Sequence, residues 1–94
     1  MDLEWDDDKR QDALVNRGLD FARFAYVDRD SLRTWPDLRG DYGETRFISY
    51  GYLDGRLHTF CWTPRGENIR IISMRKANER ERKRYDEGKD PRHA

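Results

Sequence analysis

The chain has 94 residues, enough for one small domain and too few for two domains or a nucleotide-binding α/β fold. Its 19 basic and 19 acidic side chains cancel, and its aromatic residues can supply a small core. The single cysteine excludes an internal disulfide and a cysteine-based zinc site, and no apolar run is long enough to span a membrane. The acidic start does not fit a signal peptide, so we expect a small cytoplasmic domain without a metal or cofactor.

The chain begins with a pattern that predicts a short strand and then a helix. Leu3 and Trp5 alternate with polar residues, which is typical of a half-buried strand. Asp6 fits the N-cap of the helix, because its carboxylate can accept hydrogen bonds from first-turn amides. The helix is expected to reach about Asn16 and to end at Gly18, the residue type best suited to a left-handed C-terminal position.

A second helix is predicted directly after the first. Asp20 can cap it, and Leu19 with Phe24 fits a hydrophobic staple across its first turn. Phe21, Phe24 and Ala25 have α-helical spacing on one face, which we expect to contact the core.

From residue 31 onward the apolar period changes to two, which predicts an antiparallel sheet. Asp54-Gly55 is a strong hairpin turn signal between two of its strands. The expected strands cover residues 31–35, 46–53, 56–63 and 68–75. The fold class predicted is therefore α+β, with two N-terminal helices and a C-terminal helix around a mainly antiparallel twisted sheet.

The last predicted element is a helix that starts at Asn78, where Asn78 and Glu81 have the spacing of a capping box. Tyr85 is one of very few residues in it that could pack inward, so this helix is expected to be solvated or to bind a partner. We place a single domain at residues 1–88 and a polar, mobile tail at residues 89–94.

The neutral total charge hides an asymmetry. Residues 1–47 carry 8 basic and 12 acidic side chains, whereas residues 48–94 carry 11 basic and 7 acidic ones. Fifteen of the 19 basic residues are arginine, whose planar fork binds phosphate through two hydrogen bonds. This points to nucleic acid, although a solvated surface with many ion pairs is the alternative.

Several charged residues lie in or at the ends of predicted strands, and a phenol lies in the last predicted helix: Glu44, Arg46, Arg70, Arg75 and Lys76, with Tyr85. Arginines that converge over a sheet can bind a phosphodiester and stabilise the charge that develops on it. Such a site could cleave RNA without metal, because the 2′-hydroxyl attacks the adjacent phosphate. The alternative is that the arginines only brace the sheet. His58 and Cys61 lie within a strand beside aromatic residues, and we expect both to be structural.

Several short motifs follow one another between roughly residues 3 and 87: Glu4-Trp5-Asp6, Arg17-Gly18, Gly43-Glu44-Thr45-Arg46-Phe47, Gly55-Arg56, Ile69-Arg70-Ile71-Ile72-Ser73-Met74-Arg75-Lys76-Ala77 and Glu81-Arg82-Lys83-Arg84-Tyr85. In order and spacing, this set resembles the BrnT family of toxins from bacterial type II toxin–antitoxin pairs. The resemblance implies a RelE-like fold, an endoribonuclease that arrests growth, and a BrnA-type ribbon-helix-helix antitoxin in a 2:2 complex.

By location in RelE-like folds, the resemblance assigns the cleavage site to Arg46, Arg75 and Tyr85, with Glu44 and Lys76 as further candidates. Arg17, Arg70 and Arg82 are expected to contact RNA. The chain departs from the family where histidines are common, since Arg17 and Gly40 occupy those two positions, and Asp6-Asp7 replaces Asp-Pro. An alternative function follows: a weak or inactive toxin-fold protein that binds RNA or an antitoxin.

Overall fold

The computed structural model describes residues 2–93 and shows a five-stranded sheet with helices on both faces. Its α-helices are α1 (Asp7–Arg17) and α2 (Glu79–Asp86), and its strands are β1 (Leu3–Trp5), β2 (Arg33–Pro36), β3 (Phe47–Leu53), β4 (Arg56–Arg65) and β5 (Asn68–Lys76). The sheet order is β1-β5-β4-β3-β2, in which only the β1–β5 pair is parallel. This confirms the α+β class and the mainly antiparallel sheet.

Helix α1 begins and ends as the sequence predicts. The Asp6 carboxylate accepts hydrogen bonds from the amides of Asp8 and Lys9, at 3.0 and 3.1 Å. Gly18 follows the last turn with φ of 67°, a left-handed conformation that costs glycine little. Ala13 is the residue of α1 that is fully buried, so the helix lies on the surface of the sheet with a narrow contact.

The second predicted helix is a 3₁₀ helix of six residues, Phe21–Tyr26, rather than an α-helix. A 3₁₀ helix has three residues per turn, so Phe21, Phe24 and Val27 share its buried face. Ala25 is exposed, and its predicted place in the core is therefore wrong. The error is one of helical period, because the apolar spacing at 21 and 24 fits both helix types.

Two strands, β2 and β4, differ from the prediction by more than one residue at an end. β2 covers Arg33–Pro36 instead of 31–35, and it includes a proline because it is an edge strand that needs no hydrogen bond on its outer side. β4 continues to Arg65, so the next turn is at Gly66-Glu67. The hairpin at Asp54-Gly55 is confirmed, with φ of 53° and 75° at the two turn residues.

The side chains of alternate strand residues form a core on each face of the sheet. One core lies under α1 and the first 3₁₀ helix and includes Phe21, Phe24, Phe60, Ile71 and Met74. The other lies towards α2 and includes Ile48, Tyr50, Leu57, Ala77 and Tyr85. The sheet therefore separates an α1 face from an α2 face.

Helix α2 is anchored by polar groups as well as by Tyr85. Asn78 and Glu81 form the predicted capping box: the Asn78 side chain accepts from the Glu81 amide, and the Glu81 carboxylate accepts from the Asn78 amide, each at 2.8 Å. Glu81 itself is only 5% exposed. The helix is thus held against the sheet through a buried carboxylate, which the scarcity of apolar residues did not predict.

The residues after α2 are packed against the protein, unlike the mobile tail expected from residue 89. Pro91–His93 forms a 3₁₀ helix, and Pro91 is fully buried. Arg92 donates a hydrogen bond to the carbonyl of Pro36 at 2.9 Å and lies over the ring of Trp35. These contacts close one side of the α2 face. The domain boundary at residue 88 stays a prediction.

Candidate functional site: an arginine-lined cleft

A cleft of about 650 Å³ opens on the α2 face of the sheet. Its floor comes from β3, β4 and β5, and its sides come from the end of α1, the segment after β2, α2 and the C-terminal 3₁₀ helix. We call it the arginine cleft, and its lining residues are Arg17, Asp37, Leu38, Arg39, Ile48, Tyr50, Thr59, Cys61, Ser73, Arg75, Glu81 and Arg92.

Arg75 is fixed in the cleft by a paired carboxylate. Its Nη1 and Nη2 donate to Oε1 and Oε2 of Glu81 at 2.8 and 2.9 Å, which is a bidentate ion pair. The Tyr50 hydroxyl donates to Glu81 Oε2 at 2.5 Å. The Glu81 side chain is 7% exposed and that of Arg75 is 46% exposed. The Glu81 carboxylate is therefore buried, whereas the Arg75 guanidinium is accessible from the cleft.

These contacts fix the protonation states of the group. Burial alone would raise the pKa of Glu81, but hydrogen bonds from Arg75, Tyr50 and the Asn78 amide outweigh it and hold the pKa at about 2. Burial and the hydrogen bond to Glu81 raise the pKa of Tyr50 to about 12. At neutral pH Glu81 is an acceptor and Tyr50 a donor, so neither is poised to exchange protons with a substrate.

A second arginine is held in the same way on the opposite side of the cleft. Nε and Nη2 of Arg39 donate to the two oxygens of Asp37, both at 2.8 Å. The hydrogen bond from Arg39 lowers the pKa of Asp37 to about 2, even though burial acts to raise it. The Cys61 thiol lies 3.7 Å from Asp37 Oδ2, and burial and that carboxylate raise the thiol pKa. The expectation that Cys61 is a buried, structural residue agrees with this position.

Arg17 and Arg92 complete the set of cations. Arg17 stands at the end of α1 and donates from Nη1 to the carbonyl of Met74 at 3.0 Å, which brings it beside Arg75 on β5. Arg92 pairs with Asp90 at 2.7 Å and is held by the Pro36 carbonyl. Four guanidinium groups from distant parts of the chain therefore surround one cleft.

Of the eight site residues proposed from sequence, the structure brings Arg17 and Arg75 together in the cleft. Arg46 and Glu44 form a separate ion pair at 3.0 Å in the segment before β3, where Arg46 lies over the ring of Tyr42. Glu44 also faces Arg65 at 3.6 Å. This cluster lies outside the residues that line the cleft.

Four more of the site residues proposed from the sequence lie outside the lining of the cleft: Tyr85, Lys76, Arg70 and Arg82. Tyr85 is buried, its hydroxyl donates to the Ser31 carbonyl, and Arg33 covers its ring. Lys76 follows Arg75 in β5 and so points to the opposite face of the sheet. Arg70 is paired in register with Glu4 and Thr63. Arg82 is bound by Glu79 and Asp86 on the outer side of α2.

His58 belongs to the opposite core, as expected. It is 4% exposed, stacks on Phe60, and has its pKa lowered by burial. Across residues 2–93, no group of three or more His, Cys, Asp or Glu side chains is arranged to hold a metal ion. No helix in that range is long and apolar enough to span a membrane.

The sequence patterns do not predict Arg39, Arg92 and Tyr50 as residues of the cleft, or the burial of Glu81. Some signal was present, because strand alternation places Tyr50 on the same face as Ile48, and the capping-box spacing marks Glu81. Neither pattern says that the two side chains meet. Arg92 fell in a segment that looked like a tail.

A small α+β domain with four arginines around an open cleft has the features of a protein that binds anionic ligands. Its family is shown by comparison of the whole sequence with known families. The chain belongs to the BrnT family, described as the ribonuclease toxin of type II toxin–antitoxin systems, and the match covers residues 5–81. No individual curated protein matches the chain at a significant level.

Proposed function

We propose that this chain is itself an endoribonuclease toxin and that the arginine cleft is where it binds and cuts RNA. The observation that carries the proposal is the convergence of Arg17 and Arg75, from α1 and β5, on one open cleft. RNA is a polyanion, and arginine can hold a phosphodiester through two parallel hydrogen bonds. The family match supports ribonuclease activity as the purpose of that binding.

In the proposed reaction, the scissile phosphate lies between Arg17 and Arg75. The 2′-oxygen forms a bond to phosphorus while the bond to the 5′-oxygen breaks, which leaves a 2′,3′-cyclic phosphate and a 5′-hydroxyl. The two guanidinium groups stabilise the extra negative charge on the phosphate in the transition state. Arg75 needs little reorganisation for this role, because Glu81 already fixes its orientation. Charge stabilisation by arginine is the basis for proposing that the reaction is metal-independent.

Proton transfer is the weak part of this site. Glu81 stays ionised, Tyr50 stays protonated, and the pKa of Cys61 is raised above its usual range. Glu44, Lys76 and Tyr85 stay candidate acids or bases from the sequence, and Tyr85 would first have to release the Ser31 carbonyl. Arg17 and Gly40, which stand where family members commonly have histidine, are in or next to residues that line the cleft.

The protonation states of Glu81, Tyr50 and Cys61 favour a second candidate function. Without an acid or base that titrates near neutral pH, the cleft would bind RNA and cleave it slowly or not at all. The protein would then act as an RNA-binding or antitoxin-binding module. The pH dependence of RNA cleavage distinguishes the two functions. A weak enzyme should cleave RNA at a rate that rises steeply with pH, because hydroxide then deprotonates the attacking 2′-hydroxyl, whereas a pure binding module should not cleave RNA.

The partner we propose is a BrnA-type antitoxin with a ribbon-helix-helix part, which forms a 2:2 complex with this chain. We further propose that the chain has a RelE-like fold and acts in the cytoplasm. Support comes from the type II toxin–antitoxin description of the family. Antitoxin binding over the arginine cleft would exclude RNA. The mass of the purified complex, measured by light scattering, tests the stoichiometry, and a 1:1 complex would contradict it.

Single-stranded RNA incubated with the purified protein in EDTA tests the proposed activity. We expect fragments that end in 2′,3′-cyclic phosphate, and no fragments with Arg75→Ala. Arg75→Lys should retain part of the activity, because it keeps a positive charge next to Glu81. This variant therefore distinguishes the loss of a phosphate contact from misfolding. Intact RNA with the folded wild-type protein, together with normal growth on induction, would contradict the enzyme and leave the binding module.

A further inference from the structure

The arginine cleft contains two similar ion pairs, one on each side. In each pair, a buried carboxylate accepts two hydrogen bonds from one guanidinium group: Glu81 from Nη1 and Nη2 of Arg75, and Asp37 from Nε and Nη2 of Arg39. The Glu81 and Asp37 side chains are 7% and 0% exposed, whereas those of Arg75 and Arg39 are 46% and 67% exposed. Each pair therefore presents an oriented cation outward and hides its anion.

The two pairs are separated by the floor of the cleft. Asp37 stands over Cys61, with 3.7 Å between Sγ and Oδ2. Cys61 is paired in register with Ser73, and Thr59 with Arg75, so Cys61 and Arg75 lie one strand across and two residues along from each other. Strand geometry puts their Cα atoms about 8 Å apart. Asp37 is anchored at Cys61 on β4, and Glu81 lies on α2, so the two arginines are held at different places along the cleft.

Each pair is neutral in sum, so its attraction for an anion is short-ranged and depends on hydrogen-bond direction. Such an ion pair binds a phosphate only where the phosphate can accept hydrogen bonds from the guanidinium group, because the attraction is weak at longer distances. Arg92 donates a hydrogen bond to the carbonyl of Pro36, the residue before Asp37, which places Arg92 near the Asp37–Arg39 pair; it also interacts electrostatically with Tyr50 and Asp37. The Arg39 side thus has the elements of a phosphate-binding position separate from that of Arg75.

We propose that Arg39, with Arg92 beside it, forms a second phosphate subsite that binds a neighbouring phosphate of the same RNA strand. This rests on the proposed function, which places the scissile phosphate between Arg17 and Arg75. The cleft then holds a strand that crosses the sheet from β5 towards the segment after β2. A chain of several nucleotides fills both subsites, whereas a dinucleotide with its single bridging phosphate fills only one.

Binding of 2′-O-methyl RNA, which lacks the attacking hydroxyl, tests the subsite by fluorescence anisotropy. We expect Arg39→Gln to weaken binding of a labelled octanucleotide about threefold to tenfold, the range for one lost charged contact. The same variant should leave dinucleotide binding unchanged. Arg75→Lys should weaken both. Arg80→Gln, an exposed arginine of α2 outside the cleft lining, is the matched control and should change neither.

Arg39→Gln leaves the Asp37 carboxylate buried without its cation, so the double variant Asp37→Asn with Arg39→Gln is measured beside it. Both variants must melt as cooperatively as the wild type, and both should show the same length-dependent loss. Equal loss for the octanucleotide and the dinucleotide, or no loss for either, overturns the second subsite. An acidic peptide that loses affinity with Arg39→Gln while the octanucleotide does not also overturns it, and identifies the position as a protein contact. Length-dependent binding without cleavage of ordinary RNA keeps the subsite and overturns the proposed enzyme.

Discussion

Arg75 and Glu81 are joined by two hydrogen bonds of 2.8 and 2.9 Å, and this pair connects β5 to α2 at the edge of the cleft. Glu81 also completes the capping box of α2 and accepts the Tyr50 hydroxyl from β3. One carboxylate thus fixes a helix terminus, a strand contact and the orientation of the arginine that we place at the RNA phosphate. Stability and function are coupled at this residue.

Glu81→Gln should destabilise the protein by about 2 kcal/mol. The substitution removes the negative charge that pairs with Arg75 and weakens the hydrogen bonds that the Glu81 carboxylate accepts. The expected loss of stability is smaller than the roughly 3–5 kcal/mol for breaking a fully buried ion pair, because the Arg75 side chain is about half exposed. Tyr50→Phe should cost about 1 kcal/mol. Urea denaturation measures both. A Glu81→Gln variant as stable as the wild type would mean that the pair contributes no net stability.

Stability should fall in acid. The folded-state pKa values of Glu81 and Asp37, both about 2, lie below the usual values of 4.5 and 3.8. The native state therefore binds fewer protons than the unfolded state between about pH 2 and 4.5, and the stabilisation that is complete above that range is lost as pH falls through it. Urea midpoints between pH 2 and 7 should show this loss, and the curve for Asp37→Asn should be flatter. Parallel curves for the two proteins would contradict the assignment.

Gly40→His should raise the rate of RNA cleavage. The glycine has room for a side chain, since an added Cβ would come no closer than 3.5 Å to the ring of Tyr42. A histidine next to Arg39 would supply a group that titrates near pH 6.5, and general acid–base catalysis contributes about 10²- to 10⁴-fold where the geometry is good.

The pH–rate profile is the measurement for this variant, and Gly40→Ala is its control. We expect a new limb near pH 6.5 with histidine and none with alanine. If both variants cleave at the wild-type rate with the same profile, the position next to Arg39 is too far from the scissile phosphate for proton transfer.

The complex with the antitoxin should weaken as salt rises. Residues 48–94 carry 11 basic and 7 acidic side chains, and the cleft adds Arg17 from the first half of the chain. An acidic antitoxin segment over this surface would be attracted by charges that salt screens over about 8–10 Å. Titration calorimetry between 50 and 500 mM salt measures the effect. Affinity that does not change with salt would indicate a mainly apolar interface elsewhere.

The elements that the sequence predicts well are those set by neighbouring residues. Asp6 and Gly18 bound α1, and Asp54-Gly55 forms the hairpin, because capping and turn conformations depend on a few adjacent groups. The segment from Phe21 to Tyr26 shows the limit. The apolar residues at 21 and 24 fit periods of both 3.0 and 3.6, and the structure buries Val27 with them, at the three-residue spacing of a 3₁₀ helix.

The cleft could be predicted only in part, because it depends on contacts between distant residues. Arg75 stands out at the end of a strong strand, and Arg17 at a helix terminus. Arg39, by contrast, is held by Asp37, which itself contacts Cys61 on β4, and Arg92 is held by the Pro36 carbonyl. No local pattern says that a polar segment folds back onto a sheet edge, so these two arginines became visible only with the fold.

The central claim is that RNA is cut in the arginine cleft, and the most direct test compares Arg17→Gln with Arg80→Gln. Both remove one arginine, but only Arg17 lines the cleft. We expect kcat/KM for cleavage of single-stranded RNA in EDTA to fall about 10- to 100-fold with Arg17→Gln and to stay within about twofold of wild type with Arg80→Gln, where no transition-state contact is lost. A larger loss with Arg80→Gln, in two proteins with equal melting temperatures, would contradict the claim.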